Sequence, residues 1–86
     1  MPTISIFYGI LVRMYWKDHN PPHFHALYGS EEALINIVTL EVMEGALSRR
    51  ALALVLEWAS LHRQELMEAW TLCSSNQTPQ PIAPLE

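Results

Sequence analysis

The chain has 86 residues, of which 50% are hydrophobic and 16% are charged. This composition suits one small folded domain and excludes a disordered acidic tail. Five basic residues against nine acidic ones give a net charge of −4, which argues against a dedicated nucleic-acid-binding protein because such proteins need clustered Lys and Arg.

The first half of the chain has the alternating pattern of β-strands. Apolar side chains recur at every second position in Thr3–Tyr8 and Ile10–Trp16, and Gly9 between them is a turn or a bulge. Beyond a polar loop that ends in two prolines, Phe24–Tyr28 and Ala33–Val38 have the pattern of a hairpin. The pattern predicts a small antiparallel sheet of three to four strands.

The second half predicts one long helix over Ser48–Cys73. This segment has no Gly or Pro and is rich in good helix formers, and the Ser48 hydroxyl can cap its first turn. Its apolar residues, including Trp58 and Leu66, fall on one broad face, which predicts that the helix packs on one face of the sheet. Residues 74–86 hold three of the six prolines and show no periodicity. We therefore predict an α+β domain over residues 1–73 with an extended tail over residues 74–86.

The histidines are the most informative group of residues. Three of the four lie within seven residues, at His19, His23 and His25. The double proline Pro21-Pro22 directly precedes His23. If the segment is extended, the imidazoles of His23 and His25 lie on one side of the strand, about 6.5–7 Å apart at Cα, and Phe24 points to the core. Two such imidazoles can bind one zinc-like divalent metal ion. His19 in the loop and His62 on the apolar face of the helix are further candidate ligands, and purely structural or exposed histidines are the alternative.

Acid–base catalysis is a second interpretation of the same region. A metal-independent ribonuclease needs a base for the 2′-hydroxyl, a cation for the phosphorane and an acid for the leaving oxygen. Histidine, arginine and tyrosine can fill these roles, whereas an ordinary polar strand face is the alternative. The candidate catalytic residues are Arg13, His19, His23, His25 and Tyr28.

The run Asp18–Ala26, Asp-His-Asn-Pro-Pro-His-Phe-His-Ala, is the most specific stretch of the chain. Together with Met1–Ser5, Tyr28-Gly29 and Leu56–Ala59, it resembles a bacterial family catalogued as domain of unknown function 4160. The resemblance extends over nearly the whole chain. It implies a short bacterial or phage-borne protein that is often encoded beside a second small protein, in an arrangement similar to a toxin–antitoxin pair. It implies no catalytic residues.

Two functions follow as hypotheses. The first is a toxin-like component of a two-gene toxin–antitoxin-type module that binds a partner protein, with RNA as a further potential target. The second is a small histidine-based metal-binding domain or metalloenzyme. We also predict a homodimer or a protein partner encoded nearby, because five apolar residues are placed on the open face of the predicted sheet. These residues are Ile4, Ile6, Tyr8, Leu11 and Leu34.

The cellular location is predicted from what the sequence lacks. The single cysteine, Cys73, cannot form an intramolecular disulfide, and the N-terminus has no signal-peptide pattern. No apolar stretch approaches the roughly 20 residues that cross a bilayer, and no motif is typical of DNA-specific binding. The sequence therefore predicts a cytoplasmic protein without membrane contact.

Overall fold

The computed structural model describes residues 2–86 as five strands followed by two helices. The strands form one antiparallel sheet in the order β1-β2-β3-β4-β5, so that each strand pairs with the next one in the chain. This arrangement confirms the predicted α+β class with an antiparallel sheet. The elements are β1 (Thr3–Phe7), β2 (Ile10–Arg13), β3 (His23–Tyr28), β4 (Glu31–Asn36), β5 (Val42–Ala46), α1 (Arg49–Leu61) and α2 (Arg63–Ser74).

Two-residue turns connect the first strands. Tyr8 and Gly9 both have positive φ angles, of 50° and 79°, which is the pattern of a type I′ hairpin turn. Gly9 is therefore part of a turn rather than a bulge. Gly29 and Ser30 form the turn between β3 and β4, so β4 begins at Glu31, two residues earlier than the pattern predicts. This earlier start includes Glu32 in the sheet.

The sheet has five strands, so the prediction of three to four is wrong in number. The additional strand, β5, is exposed along its whole length and shows no alternation of apolar and polar residues. Its register against β4 shifts between Leu34 and Ile35. Gly45 in β5 has a φ of 75°, and a Cβ atom added to it would lie 2.1 Å from the backbone oxygen of Glu32. Only glycine allows β5 to pair this closely with β4.

The prediction of one long helix is also wrong, because the helical segment is interrupted at His62. The φ of His62 is −127°. Its backbone N–H donates to the carbonyl oxygen of Ala59, three residues earlier, whereas an α-helix would use the residue four positions earlier. A straight helix over Arg49–Ser74 would be about 39 Å long, whereas the longest dimension of the molecule is 33 Å. The interruption thus redirects α2 so that its apolar face stays on the core. Neither Gly nor Pro marks this position in the sequence.

The core lies between the sheet and the helices. The predicted burial of Trp58 and Leu66 is confirmed, since both side chains are fully buried. The Trp58 ring contacts Phe7 at 5.2 Å and Phe24 at 5.9 Å between ring centroids. Ile4 belongs to the same core instead of the open face of the sheet, because a register shift between Thr3 and Ser5 changes the alternation of β1.

The tail after α2 is extended and packs on the domain. Its backbone N–H at Ile82 donates to the carbonyl oxygen of Ile4 at 2.7 Å. Two of its carbonyl oxygens accept hydrogen bonds from indole N–H groups. The Trp58 indole donates to Ala83 at 2.8 Å, and the Trp16 indole donates to Gln77 at 3.0 Å. Within residues 2–86, neither helix is long and apolar enough to cross a membrane.

Candidate metal centre

The candidate site lies where the loop before β3 meets the first residues of that strand. His23 and His25 alternate with Phe24, whose ring packs against α1, so both imidazoles point to the other side of β3. The loop is anchored to the end of α2, because the backbone N–H of Lys17 donates to the carbonyl oxygen of Cys73 at 3.1 Å. This contact places Asp18 beside the two imidazoles.

One oxygen of Asp18 faces both histidines. Its Oδ2 atom lies 3.0 Å from His23 Nε2 and 3.3 Å from His25 Nε2, and the three residues offer ligand atoms within 4.8 Å of one another. Ligand atoms about 2.0–2.1 Å from a zinc ion lie roughly 2.9–3.4 Å apart in octahedral or tetrahedral geometry. Both distances from Asp18 Oδ2 therefore match the separation of two ligands on one ion.

The other ring nitrogens are also hydrogen-bonded. His23 Nδ1 lies 2.8 Å from the carbonyl oxygen of Pro21, and His25 Nδ1 lies 3.0 Å from Glu32 Oε2. A carbonyl oxygen only accepts, so Nδ1 of His23 carries the proton, and Nε2 of the neutral ring then presents a lone pair. That lone pair faces the acceptor Oδ2 of Asp18. With Asp18 ionised, the contact requires a cation, which is either a second proton on the ring or a metal ion.

His25 also faces acceptors. Both of its ring nitrogens face carboxylates, Glu32 on one side and Asp18 on the other. A neutral imidazole has only one N–H, so it satisfies one of the two carboxylates and leaves the other contact between acceptors. With Nδ1–H donated to Glu32, Nε2 is free to bind a metal ion next to Asp18. Both histidines thus present Nε2 to the same point.

Opposing effects act on the pKa of Asp18. Burial raises this pKa, but the backbone N–H of His19 and the imidazoles of His25 and His23 lower it more, so the net pKa lies below the usual value. A carboxyl whose pKa is depressed by folding stabilises the protein above its unfolded-state pKa of about 3.9, and this contribution disappears as the pH falls through the folded-state value.

We therefore expect metal-free Asp18→Asn to lose less stability than the wild type between about pH 5 and pH 2, because the variant has no carboxyl to protonate at this position. Urea unfolding at several pH values measures the difference. Glu57→Gln, an exposed carboxylate on α1, is the control and should follow the wild type. Parallel pH profiles for Asp18→Asn and the wild type would contradict the expectation.

Aromatic rings enclose the two imidazoles. Tyr15 meets His25 edge to face at 4.3 Å between ring centroids, and Trp70 of α2 lies 5.2 Å from His23. The exposed fraction rises from 5% at the His23 side chain to 11% at His25 and 19% at Asp18. The site is therefore reached from solvent on the side of Asp18.

The structure brings together only part of the set of site residues predicted from the sequence. His23 and His25 share the site, and Arg13 lies beside it as the direct cross-strand neighbour of His25. His19 is exposed and contributes its backbone N–H to Asp18. His62 and Tyr28 lie apart from the cluster. His62 packs against Trp58, and its Nδ1 lies 2.6 Å from Glu65 Oε1. Tyr28 is the last residue of β3, at the opposite end of the strand from His23.

Two residues of the site were missed by the sequence reasoning. Asp18 lies five residues before His23. The feature of the sequence that could have indicated it is a carboxylate directly before the run of histidines. Glu32 reaches His25 diagonally across β3 and β4, since its direct partner in the register is Leu27. No local motif indicates Glu32, because its position depends on the length of the β3–β4 turn.

Comparison with known families confirms the resemblance seen in the sequence. The family described as Domain of unknown function (DUF4160) matches residues 9–71, a range that includes Asp18, both histidines and Glu32. No curated protein and no solved structure gives a significant match. The description of the family names no activity.

Proposed function

We propose that this chain, which belongs to the DUF4160 family, binds one zinc-like divalent metal ion. The proposed ligands are Asp18, His23 and His25. The observation that carries the proposal is the convergence of two Nε2 atoms on Asp18 Oδ2. With neutral rings, Nε2 of His23 has no proton for its contact, and Nε2 of His25 has one only if the contact with Glu32 is left between two acceptors. A divalent cation between the three atoms satisfies all of them at once.

The outer contacts support the same assignment. Histidines that bind a metal usually donate their second N–H to a carbonyl or a carboxylate, which fixes the tautomer and the orientation of the ring. His23 has the Pro21 carbonyl oxygen in that position, and His25 has the Glu32 carboxylate. Both rings are therefore oriented with Nε2 toward the site.

Three protein ligands leave at least one coordination position for water or substrate. Structural zinc sites usually have four protein ligands, whereas catalytic sites keep an open position, and a set of two histidines and one carboxylate also binds Fe(II) in oxygenases. Asp18 is the most exposed of the three residues, which supports an open position on the solvent side of the site. This favours a metal centre that binds a substrate over a purely structural one.

The test is the metal content and metal affinity of untagged protein. We expect about one zinc-like ion per chain by mass spectrometry after purification, and one-to-one binding of Zn²⁺ by calorimetry after chelation. Asp18→Ala and His25→Ala should each weaken Zn²⁺ binding by more than about 100-fold, since loss of an outer contact alone typically costs 10- to 100-fold. His19→Ala and His62→Ala are the matched controls and should bind Zn²⁺ like the wild type.

Two results would overturn the proposal. One is a wild-type protein that binds no divalent ion and whose histidines show imidazolium ¹⁵N shifts at neutral pH, because protons then replace the metal. The other is an equal loss of Zn²⁺ affinity in His19→Ala. Thermal unfolding of each variant in the presence of a chelator separates the loss of a ligand from the loss of the fold.

The toxin–antitoxin-type role stays a prediction that rests on the family resemblance. It is compatible with a metal centre, because a metal-dependent enzyme can act as the toxin of such a pair. The fold leaves Ile6 and Tyr8 more than half exposed, at 59% and 55%. They belong to the surface from which the sequence predicts a protein partner or a homodimer.

A further inference from the structure

Arg13 is positioned at the candidate metal centre by the register of the sheet. It lies directly opposite His25 across β2 and β3, and side chains directly opposite each other in an antiparallel pair share one face, with Cβ atoms about 4.5–5.5 Å apart. Tyr15, two residues further along the chain, contacts the ring of the same histidine. The side chains of Arg13 and His25 therefore leave the sheet from adjacent positions on the same face.

The guanidinium of Arg13 has no protein partner in residues 2–86. Its Nε is buried without a hydrogen-bond acceptor, and the ion pairs of this part of the chain are all made by histidines. Arg63, by contrast, donates to the carbonyl oxygen of Val38. A buried donor without an acceptor is unfavourable, so an acceptor that reaches this guanidinium from outside the chain would be bound favourably.

The charges decide which acceptor fits. Asp18, Glu32 and Arg13 together carry one net negative charge when the imidazoles are neutral, which repels an anion. A divalent ion on Asp18, His23 and His25 reverses the balance to one net positive charge, and bound metal ions are often the largest local charges in a site. The loaded site therefore attracts an anion that the metal-free site does not.

We propose, building on the metal centre proposed above, that Arg13 and the open metal position together bind a phosphate oxyanion, either free or as a phosphate ester. The planar guanidinium forms paired hydrogen bonds with two oxygens of a phosphate or carboxylate group. A carboxylate paired in this way would share an oxygen between the arginine and the metal ion, because it has no third oxygen. A phosphate has one, so it engages the arginine and the metal ion at the same time.

The experiment titrates inorganic phosphate into dialysed, zinc-loaded protein by calorimetry. Wild type should bind phosphate, and Arg13→Gln should bind it about 10- to 100-fold more weakly, as expected when a charge-assisted pair is removed. Arg13→Lys keeps the charge but not the fork and should fall between the two. Arg49→Gln, an exposed arginine at the start of α1, is the control and should match the wild type, and metal-free wild type should show no binding.

The outcomes separate this inference from the metal proposal. If Arg13→Gln binds Zn²⁺ like the wild type but loses phosphate, the inference is supported and the metal site is intact. Equal phosphate affinity of Arg13→Gln and the wild type overturns the role of Arg13, and acetate binding as tightly as phosphate overturns the choice of anion. A protein that binds no Zn²⁺ at all overturns the metal proposal on which this inference rests.

Further titrations distinguish the sources of the phosphate group. A nucleoside monophosphate and a short RNA are compared with inorganic phosphate on the same zinc-loaded protein. Tighter binding of RNA supports a phosphate of a nucleic-acid backbone, whereas equal affinities support a free phosphate or a small phosphate ester. In each case the affinity should depend on Arg13.

Discussion

Trp58→Ala should lower the free energy of unfolding by about 3–5 kcal/mol. The side chain is fully buried, and its ring contacts Phe7 of β1 and Phe24 of β3. The substitution removes this packing and leaves a cavity between the sheet and α1. It also removes the indole N–H that donates to Ala83, so the tail loses one of its attachments. Urea unfolding followed by circular dichroism measures the loss.

Trp16→Ala is the matched control for this substitution. Trp16 also donates its indole N–H to a carbonyl oxygen of the tail, that of Gln77, but its side chain is 41% exposed. We expect a loss of only about 1 kcal/mol, which corresponds to one exposed hydrogen bond and partial burial. Similar losses for the two variants would contradict the core position of Trp58.

Gly45→Ala should lower the free energy of unfolding by about 3 kcal/mol or more. A left-handed backbone costs a residue with a side chain roughly 1–3 kcal/mol, and the new Cβ would in addition overlap the backbone oxygen of Glu32, at 2.1 Å. A backbone atom has no alternative rotamer, so β4 and β5 must separate at this position. Thermal unfolding of the variant, with hydrogen exchange at the amides of β4 and β5, measures both effects.

Gly29→Ala separates the two causes. Gly29 also has a positive φ, of 59°, but a Cβ added there would meet no atom within 4 Å. Gly29→Ala should lower the free energy of unfolding only through the strained backbone conformation, by about 1–2 kcal/mol. It should keep β4 and β5 paired. If Gly45→Ala is no more destabilising than Gly29→Ala, the close approach of β5 to Glu32 is wrong.

The Gly45→Ala substitution should also affect metal binding at the candidate centre. The backbone atom that the new Cβ would strike belongs to Glu32, whose carboxylate holds Nδ1 of His25. A displacement of β4 at this residue would release the imidazole from its orientation. We therefore expect Zn²⁺ affinity to fall in Gly45→Ala and to stay near the wild-type value in Gly29→Ala.

The central part of the site was predictable because it depends on a local rule. The two-residue period of a strand places His23 and His25 on one side and Phe24 on the other, and the structure has this arrangement, with Phe24 fully buried. Asp18 and Glu32 were not predictable in the same way. Asp18 depends on how a loop is held against Cys73, and Glu32 depends on a two-residue turn. Both are tertiary constraints without a periodic signal.

The errors in the predicted elements have similar causes. The alternation in β1 was assigned to the wrong face for Ile4 because a register shift near Thr3 cannot be seen in a five-residue pattern. The interruption at His62 was missed because every residue around it is compatible with a helix, and the length of the core decides where the helix ends. Sequence patterns therefore predicted which segments are helical or extended, but not how the chain adapts to the size of its core.

The attachment of the tail affects the tendency of the sheet to aggregate. β1 and β5 are the two edges of the sheet, and a free edge can pair with a strand of another molecule. The tail covers part of the β1 edge, because the Ile82 N–H occupies the carbonyl oxygen of Ile4. The β5 edge is short and carries Glu44 and the bend at Gly45, both of which disfavour intermolecular pairing. Loss of the tail would thus expose β1 as the edge at which chains associate into larger assemblies.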